Sequence, residues 1–273
     1  MLETGCHSCR QRLSEDKMRG IKFTTLLPVI VLCCNGTAQA AAPQVRTQAP
    51  GFYRMMLGRF EITALLDGTH PFPVHDVMTR NETQIGGERK AVKLAAGHPG
   101  KADALLADSD LGVPLEGSIN AFLVNTSDKL VLIDSGAGSL YGTCCGHLLE
   151  NLQAAGYKPE QVDEIYLTHL HADHVGGIAP HGKPVFPNAI VRVSQKDLRY
   201  WLDPRSEDAA PTFLKPMFDG DRASLKPYID AGHVKPFDDG QELSLGIRAV
   251  PTPGHTPGHT SYEVVSDGQT LLV

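Results

Sequence analysis

Positive charge is scarce in this sequence. Its 25 Lys and Arg residues are outnumbered by 31 Asp and Glu residues, which leaves a formal net charge of −6. Proteins that bind nucleic acids normally present a basic face, and no basic stripe occurs along this chain. The charge pattern therefore argues against a nucleic-acid partner.

Long hydrophobic runs are also lacking. The apolar run Phe23–Cys34 has twelve residues, whereas a membrane-spanning helix needs about 20. A short basic start precedes this run and small residues follow it, which is the order of a cleaved secretory signal peptide. We predict that residues 1–40 are a leader, with 1–17 a mis-start and 18–40 a signal peptide. Cleavage after Ala40 would export residues 41–273 to the periplasm or the medium, with a lipoprotein or a retained anchor as alternatives.

Cysteine is too rare for a disulfide framework. Four of the six cysteines lie in the predicted leader, and the exported part keeps only Cys144 and Cys145. Chain neighbours rarely form a disulfide because its geometry is strained. We interpret the pair as two small residues near the start of a helix, so that the fold depends on its core and on metal.

Strands and helices alternate along residues 41–273, after a Pro- and Ala-rich tail. The apolar runs 119–124 and 129–134 predict a hairpin, and 162–167 predicts a strand that leads directly into THLHADHVGG. Residues 70–117 look irregular, as a long loop or a short helical excursion. The remaining predicted strands are 60–66, 189–194, 242–250, 261–265 and 269–273, and the predicted helices are 148–156, 195–202 and 223–231.

The stretch THLHADHVGG at 168–177 concentrates metal-ligand side chains. It places His169, His171, Asp173 and His174 within six residues, directly after a strand. Imidazole and carboxylate suit zinc, manganese, cobalt or iron. Two ions about 3.5–4 Å apart can hold and activate a water molecule between them. The pattern therefore predicts a metal site, and we expect the two glycines to leave room for a substrate.

Three passages together resemble the metallo-β-lactamase superfamily of metallohydrolases. They are THLHADH after a strand, the turn that starts with Asp134, and PGHTPGH at 253–259. The resemblance implies an α/β fold, a four-layer αβ/βα sandwich. The stretches at 41–58, 156–177 and 254–262 resemble more narrowly the exported methyl parathion hydrolases, which are di-metal phosphotriesterases with relatives that act on lactones and aryl esters.

The resemblance also implies a role for individual residues. His169, His171 and His255 would hold one metal, and Asp173 and His174 a second, with Asp173 also catalytic. Two further residues, Asp134 and His259, would support the site without binding metal. Trp201 and Phe213 lie where the narrower group has aromatic residues over its substrate pocket, with ordinary core packing as the alternative.

The family's ligand set is incomplete in this sequence. The family pattern continues with a Gly-Asp that bridges both ions and with a last histidine, and both would come after Val273. We therefore expect the second half of the sandwich to be incomplete, with one bound ion as the alternative to two.

These observations predict a metal-dependent hydrolase that uses a metal-bound hydroxide on organophosphate triesters or related small-molecule esters. Lactonase, aryl-esterase or β-lactamase activity at the same site is the alternative. An inactive truncated fragment that binds at most one metal is the alternative of another class, and a redox role is a weaker third. Zinc is the expected metal. A homodimer is left open.

Overall fold

The computed structural model describes residues 42–72, 79–81, 91–93, 106–111, 114–210 and 212–273. The strands and helices below belong to one compact unit, Gln48–Val273. The predicted leader, residues 1–40, lies outside the described residues. Within the described residues, no helix has the length and apolarity needed to cross a bilayer.

A seven-stranded mixed sheet forms the larger part of the fold. Its order is β1-β2-β5-β6-β7-β8-β9, with antiparallel pairing from β1 to β6 and parallel pairing from β6 to β9. These strands are β1 Phe52–Leu57, β2 Phe60–Phe72, β5 Leu115–Asn125, β6 Leu130–Ile133, β7 Glu164–Tyr166, β8 Ile190–Ser194 and β9 Val234–Phe237. Two short strands, β3 Thr79–Asn81 and β4 Ala91–Lys93, pair with each other.

A four-stranded antiparallel sheet follows in the sequence. Its strands are β10 Glu242–Ser244, β11 Ile247–Pro251, β12 Thr260–Ser266 and β13 Gln269–Leu272, paired in sequence order. The single strand predicted over 242–250 is therefore wrong. Gly246 divides it because its φ of 78° lies in the left-handed region that favours glycine.

The helices are α1 Leu148–Ala154, α2 Ala172–Val175, α3 Gln195–Leu202, α4 Pro204–Ala209 and α5 Lys215–Asp230. Short 3-10 turns occur at Gly142–Cys144, Pro159–Gln161, Pro180–Gly182 and Thr212–Leu214. Residues of α1, α3 and α5 join one face of the large sheet in a core that includes Leu152, Trp201 and Phe218. The helix predicted over 223–231 starts earlier, at Lys215, with a proline in its first turn where the missing N–H costs nothing.

A second core lies between the two sheets and consists of strand residues. Ile62, Val131 and Tyr166 of the large sheet pack with Ile247 and Tyr262 of the small sheet. The layers are thus helices, large sheet and small sheet. The mixed α/β class with a large sheet is confirmed, whereas the fourth, helical layer implied by the resemblance is not represented among residues 114–210 and 212–273.

Several sequence predictions are confirmed, whereas the strands β1, β3, β4 and β9 were missed. The hairpin at 119–134 is β5–β6, and β7 delivers the chain into the histidine cluster. The predicted tail contains β1, which pairs with β2 from Phe52↔Leu65 to Leu57↔Phe60. The predicted irregular stretch 70–117 overlaps the end of β2 and the start of β5, and much of it lies outside the described residues.

Candidate metal centre

Two loops from different sheets meet at the candidate site. We call 168–177, after β7, the first ligand loop, and 252–259, between β11 and β12, the second ligand loop. Where they meet, the Thr260 amide donates to the Thr168 carbonyl at 2.9 Å. Two residues further along β12, the Tyr262 hydroxyl donates to the Leu167 carbonyl at 2.7 Å. The site therefore lies at the carboxyl end of a parallel strand, where function gathers in layered α/β folds.

Three histidines bring their ring nitrogens together. Ligand atoms of His169, His171 and His255 lie within 4.8 Å of one another. His169 Nε2 and His171 Nδ1 are 3.1 Å apart, and the ring centroid of His255 lies 4.7 Å from that of His169. Burial decreases across the trio, since His169 is buried, His171 half-buried and His255 exposed. The trio thus presents one exposed edge through which an ion or a substrate can approach.

The electrostatic environment keeps the trio neutral. Burial lowers the pKa of His169 well below its usual range. Burial, followed by the charge of His255, lowers the pKa of His171 to about 3. Burial also lowers the pKa of His255. A neutral imidazole has a free lone pair, so these rings can bind a cation without first releasing a proton.

A second group of charged residues lies beside the trio. His174 Nδ1 is 2.8 Å from Asp134 Oδ2, and His174 Nε2 is 3.5 Å from Asp173 Oδ2. Although burial alone lowers the pKa of His174, the neighbouring Asp134 and Asp173 carboxylates raise it to about 10. Burial alone raises the pKa of Asp173, but the hydrogen bond to His174 and its charge lower it to about 2. The pair is ionised at neutral pH, so a metal there must displace a proton from His174.

Asp134 organises the base of the site. Its Oδ1 accepts a hydrogen bond from the Thr168 amide at 2.8 Å, and its Oδ2 accepts one from the Thr168 hydroxyl at 2.9 Å. That hydroxyl is also 3.0 Å from His169 Nδ1. Asp134 has a φ of 59°, a left-handed conformation that short polar residues tolerate. The contacts fit the supporting role that the resemblance implies, because such partners fix the orientation of metal-binding rings.

His259 lies next to the trio but outside it. Its ring centroid is 4.9 Å from that of His169 and 5.8 Å from that of His255. His259 Nδ1 is 2.8 Å from the Thr252 hydroxyl. This hydrogen bond holds the ring against the base of the second ligand loop, so His259 is a neighbour of the trio.

The two glycines of the first ligand loop have a different purpose from the one predicted. A Cβ at Gly176 would lie 2.1 Å from the Ala137 carbonyl oxygen, and one at Gly177 would lie 1.8 Å from the Ser135 carbonyl oxygen. The Gly177 amide donates to the Gly136 carbonyl at 3.1 Å. The glycines therefore permit close backbone contact with the turn after β6, and they do not create space for a substrate.

Of the two predicted aromatic pocket residues, the structure describes the side chain of one. Trp201 is 1% exposed, and its ring packs at 5.2 Å against His171 and at 4.5 Å against Phe218. This position favours the alternative of core packing, behind His171. Phe213 lies in the 3-10 turn Thr212–Leu214, and its side chain lies outside the described residues.

Two residues that the sequence analysis missed contact the site. Asp197 at the start of α3 accepts hydrogen bonds from the Leu170 amide, the Thr256 hydroxyl and the Gly258 amide, at 3.1, 2.9 and 2.6 Å. It therefore joins the two ligand loops. The Tyr141 hydroxyl donates to Asp173 Oδ1 at 3.3 Å. Neither residue belongs to a local motif, because each acts across a long sequence separation.

Comparisons with known proteins agree with this geometry. A family model described as Metallo-beta-lactamase superfamily matches residues 114–273. The chain is 30% identical over 193 residues to "Probable metallo-hydrolase Rv2300c" of Mycobacterium tuberculosis, which covers 57% of this chain and 58% of that protein. The chain spans less than two thirds of the length of the curated relatives it matches.

Two solved structures are similar over most of the chain. One is a crystal structure of "hydrolase AbOPH in beta lactamase superfamily", with a TM-score of 0.70 and 36% identity over 83% of this chain and 74% of that one. The other is AidC, described as a dizinc quorum-quenching lactonase in complex with a product, with a TM-score of 0.64 and 27% identity over 81% of this chain and 73% of that one. Both descriptions are of hydrolases.

Proposed function

Because the chain belongs to the metallo-β-lactamase superfamily, we propose that it is a metal-dependent hydrolase of small-molecule esters. The observation that carries the proposal is the neutral trio of His169, His171 and His255, whose ligand atoms lie within 4.8 Å of one another. Three histidines with one open position are a typical donor set of catalytic zinc.

The side chains present can bind one cation directly, whereas a second cation must first displace the proton of His174. The trio would hold the first ion, and Asp173 with His174 would contribute to the second. Zinc is the expected metal, with manganese, cobalt or iron as alternatives that imidazole and carboxylate also accept. When bound, the metal supplies Lewis acidity and lowers the pKa of water to about 7.

The protein's own groups would orient the water. Asp173 is ionised, and its Oδ1 already accepts from the Tyr141 hydroxyl. Its Oδ2, which lies 3.5 Å from His174 Nε2, would orient the attacking water by accepting a hydrogen bond from it once the proton of His174 has been displaced. Asp134 keeps the His174 ring in place while this happens.

A carboxylic ester or lactone is the first substrate class. AidC, at 27% identity and a TM-score of 0.64, supports this choice because it is described as a lactonase. A phosphotriester is the second candidate, and the narrower sequence resemblance to the exported methyl parathion hydrolases supports it. Both classes have an electrophilic centre that water attacks, with charge developing on the oxygen of that centre.

We also propose that the protein is exported and that residues 1–40 are removed. The apolar run Phe23–Cys34 and the small residues that follow it support this. Sequencing the N-terminus of the protein recovered from the periplasm or the medium tests the proposal. A mature N-terminus at Ala41 is expected, and an N-terminus at Met1 or Met18 on exported protein would contradict it.

Metal content together with hydrolysis tests the proposed activity. The chain is purified, its bound transition metals are counted by mass spectrometry, and it is assayed with an aryl ester, an N-acyl-homoserine lactone and a phosphotriester. Bound metal and turnover of one class that chelation abolishes are expected, and His171→Ala should lose both. A folded chain without metal or turnover would support the alternative of an inactive fragment.

A further inference from the structure

The two cysteines lie close together in a short turn. We call 141–146 the dicysteine turn, which contains Tyr141, the 3-10 turn Gly142–Cys144, Cys145 and Gly146. Both cysteines are free thiols, and their Sγ atoms lie 2.6 Å apart. Cys144 is half-buried and Cys145 is 8% exposed. One thiol is therefore accessible to a reagent, and the other lies directly behind it.

The fold holds this turn against β2 through its backbone, with a glycine on either side of the cysteines. Asp67 Oδ1 accepts hydrogen bonds from the amides of Gly146 and Leu148, both at 3.1 Å. A Cβ at Gly68 would lie 2.2 Å from the Cys144 carbonyl oxygen, so the turn packs directly on β2. Gly142 and Gly146 flank the cysteines with φ of 73° and 93°. Glycine at both flanks lets the backbone on either side of the cysteines adjust at low steric cost.

The turn is connected to the candidate metal centre through Tyr141. Cys144 Sγ is the donor to the Tyr141 carbonyl oxygen at 3.4 Å. The Tyr141 hydroxyl donates to Asp173 Oδ1 at 3.3 Å, and its ring packs on His70 with a centroid separation of 5.3 Å. A change at the thiols therefore acts on a residue that hydrogen-bonds to Asp173.

We propose that Cys144 and Cys145 are a reversible modification site, which a small-molecule disulfide oxidises to a vicinal disulfide that alters the contact between Tyr141 and Asp173. The Cys144 thiolate attacks one sulfur of the reagent, which forms a mixed disulfide and releases one thiol. Cys145 Sγ then attacks Cys144 Sγ, which forms the intramolecular bond and releases the second thiol. The protein loses two protons and two electrons, and the reagent gains them.

The environment of the pair favours this order and its reversal. Burial, followed by the hydrogen bond to Cys144, raises the pKa of Cys145 to about 12, so the more exposed Cys144 reacts first. A disulfide between chain neighbours is strained, and strained disulfides are the more easily reduced ones. Oxidation also removes the Cys144 S–H that donates to Tyr141. The consequence for hydrolysis rests on the proposed role of Asp173, whereas formation of the bond does not.

Formation of the disulfide is tested on the full-length chain with Cys6, Cys9, Cys33 and Cys34 replaced by serine. After treatment with oxidised glutathione, we expect two titratable thiols to fall to none and the intact mass to fall by about 2 Da, with recovery after a mild phosphine. Adding Cys145→Ser should stop the reaction at a stable glutathione adduct on Cys144, whereas Cys144→Ser should leave the buried Cys145 unmodified. Persistence of both thiols, a stable adduct on the pair or covalent dimers would overturn the proposal.

The link to Asp173 is tested in protein whose metal has been removed with a chelator, so that neither bound metal nor turnover affects the result. Hydrogen exchange of the amides in 172–177 is compared between the reduced and the oxidised chain. We expect exchange up to about tenfold faster after oxidation, the equivalent of one net hydrogen bond. Tyr141→Phe should exchange at one rate in both states. Equal rates in the reduced and oxidised parent chain would overturn the link. Failure of the proposed hydrolysis would appear separately, in the metal and turnover assays.

Discussion

The two halves of the candidate metal centre differ in how they are kept ready for a cation. The trio of His169, His171 and His255 consists of neutral rings, because burial lowers the pKa of each. The neighbouring pair, Asp173 and His174, forms an ion pair that continues to Asp134. The trio holds no proton that a cation must displace, whereas in the pair the His174 proton already balances the Asp173 carboxylate.

This difference predicts an order of binding. A cation at the trio would bind ring nitrogens that already lie close together, since His169 Nε2 and His171 Nδ1 are 3.1 Å apart. A cation at the pair must first remove a proton from a ring whose pKa is raised to about 10. Filling of the pair should therefore require more metal and a higher pH than filling of the trio.

The largest effect is expected when the trio is broken. His171→Ala removes one of three ligands, and we expect metal affinity to fall by more than about 100-fold, the upper end of the loss from a supporting partner. Titration of the chelated protein with cobalt measures this. His233→Ala, between α5 and β9, is the matched control and should bind as the parent does. If the His171 variant binds cobalt as tightly as the parent does, the trio is not the metal site.

The next effect concerns the backbone on which both halves depend. Gly177→Ala places a Cβ 1.8 Å from the Ser135 carbonyl oxygen, and we expect a loss of about 3 kcal/mol in the free energy of unfolding. Gly117→Ala is the control, since its Cβ would make contacts of 3.5 Å and longer. Urea unfolding of both variants measures the difference. An alanine tolerated at 177 would mean that the first ligand loop and the turn after β6 are not in close contact.

A smaller effect is expected when the pair loses its support. Asp134→Asn weakens the hydrogen bond to His174, and we expect a cost of about 2 kcal/mol in the free energy of unfolding of the chelated protein. Asp267→Asn is a matched control, because Asp267 also has a positive φ, 48°, but lies in the turn between β12 and β13. If both variants unfold at the same urea concentration, the Asp134–His174 contact does not contribute to stability.

The last effect is a dependence on pH that belongs to the pair. The pKa of His174 is raised to about 10 in the folded chain, above its ordinary value of 6.5. Its contribution to stability is therefore fully present below pH 6.5 and is lost as pH rises through about 10. We expect the melting temperature of the chelated protein to fall by several degrees across this window. The decline should be shallower in Asp134→Asn. An equal decline in both proteins would mean that groups other than His174 cause it.

The sequence predicted the elements whose apolar residues are local and regular. The hairpin β5–β6, the helices α1 and α3 and the strand β7 were all identifiable in this way. It missed β1, which is largely exposed on both faces, and β9, an edge strand that contains Pro236. Edge strands show little alternation and tolerate proline, so composition alone does not identify them.

For the site, the sequence placed the three histidines that the structure brings together, because a dense motif carries two of them. It did not predict Asp197, which contacts Thr256 across 59 positions of the chain. Nor did it predict Tyr141, whose contact with Asp173 spans 32 positions. Such partners are determined by the three-dimensional packing of loops, which a single sequence does not reveal.

The two ligand loops belong to different sheets, and this has a consequence for local opening. His169 and His171 follow a strand of the large sheet, whereas His255 lies between two strands of the small sheet. An ion held by all three would therefore bond one sheet to the other and add its binding energy to the apolar core between them. Amide exchange in β11 and β12 should then slow with metal concentration, although neither strand supplies a ligand, so the protection of these strands would report the occupancy of the site.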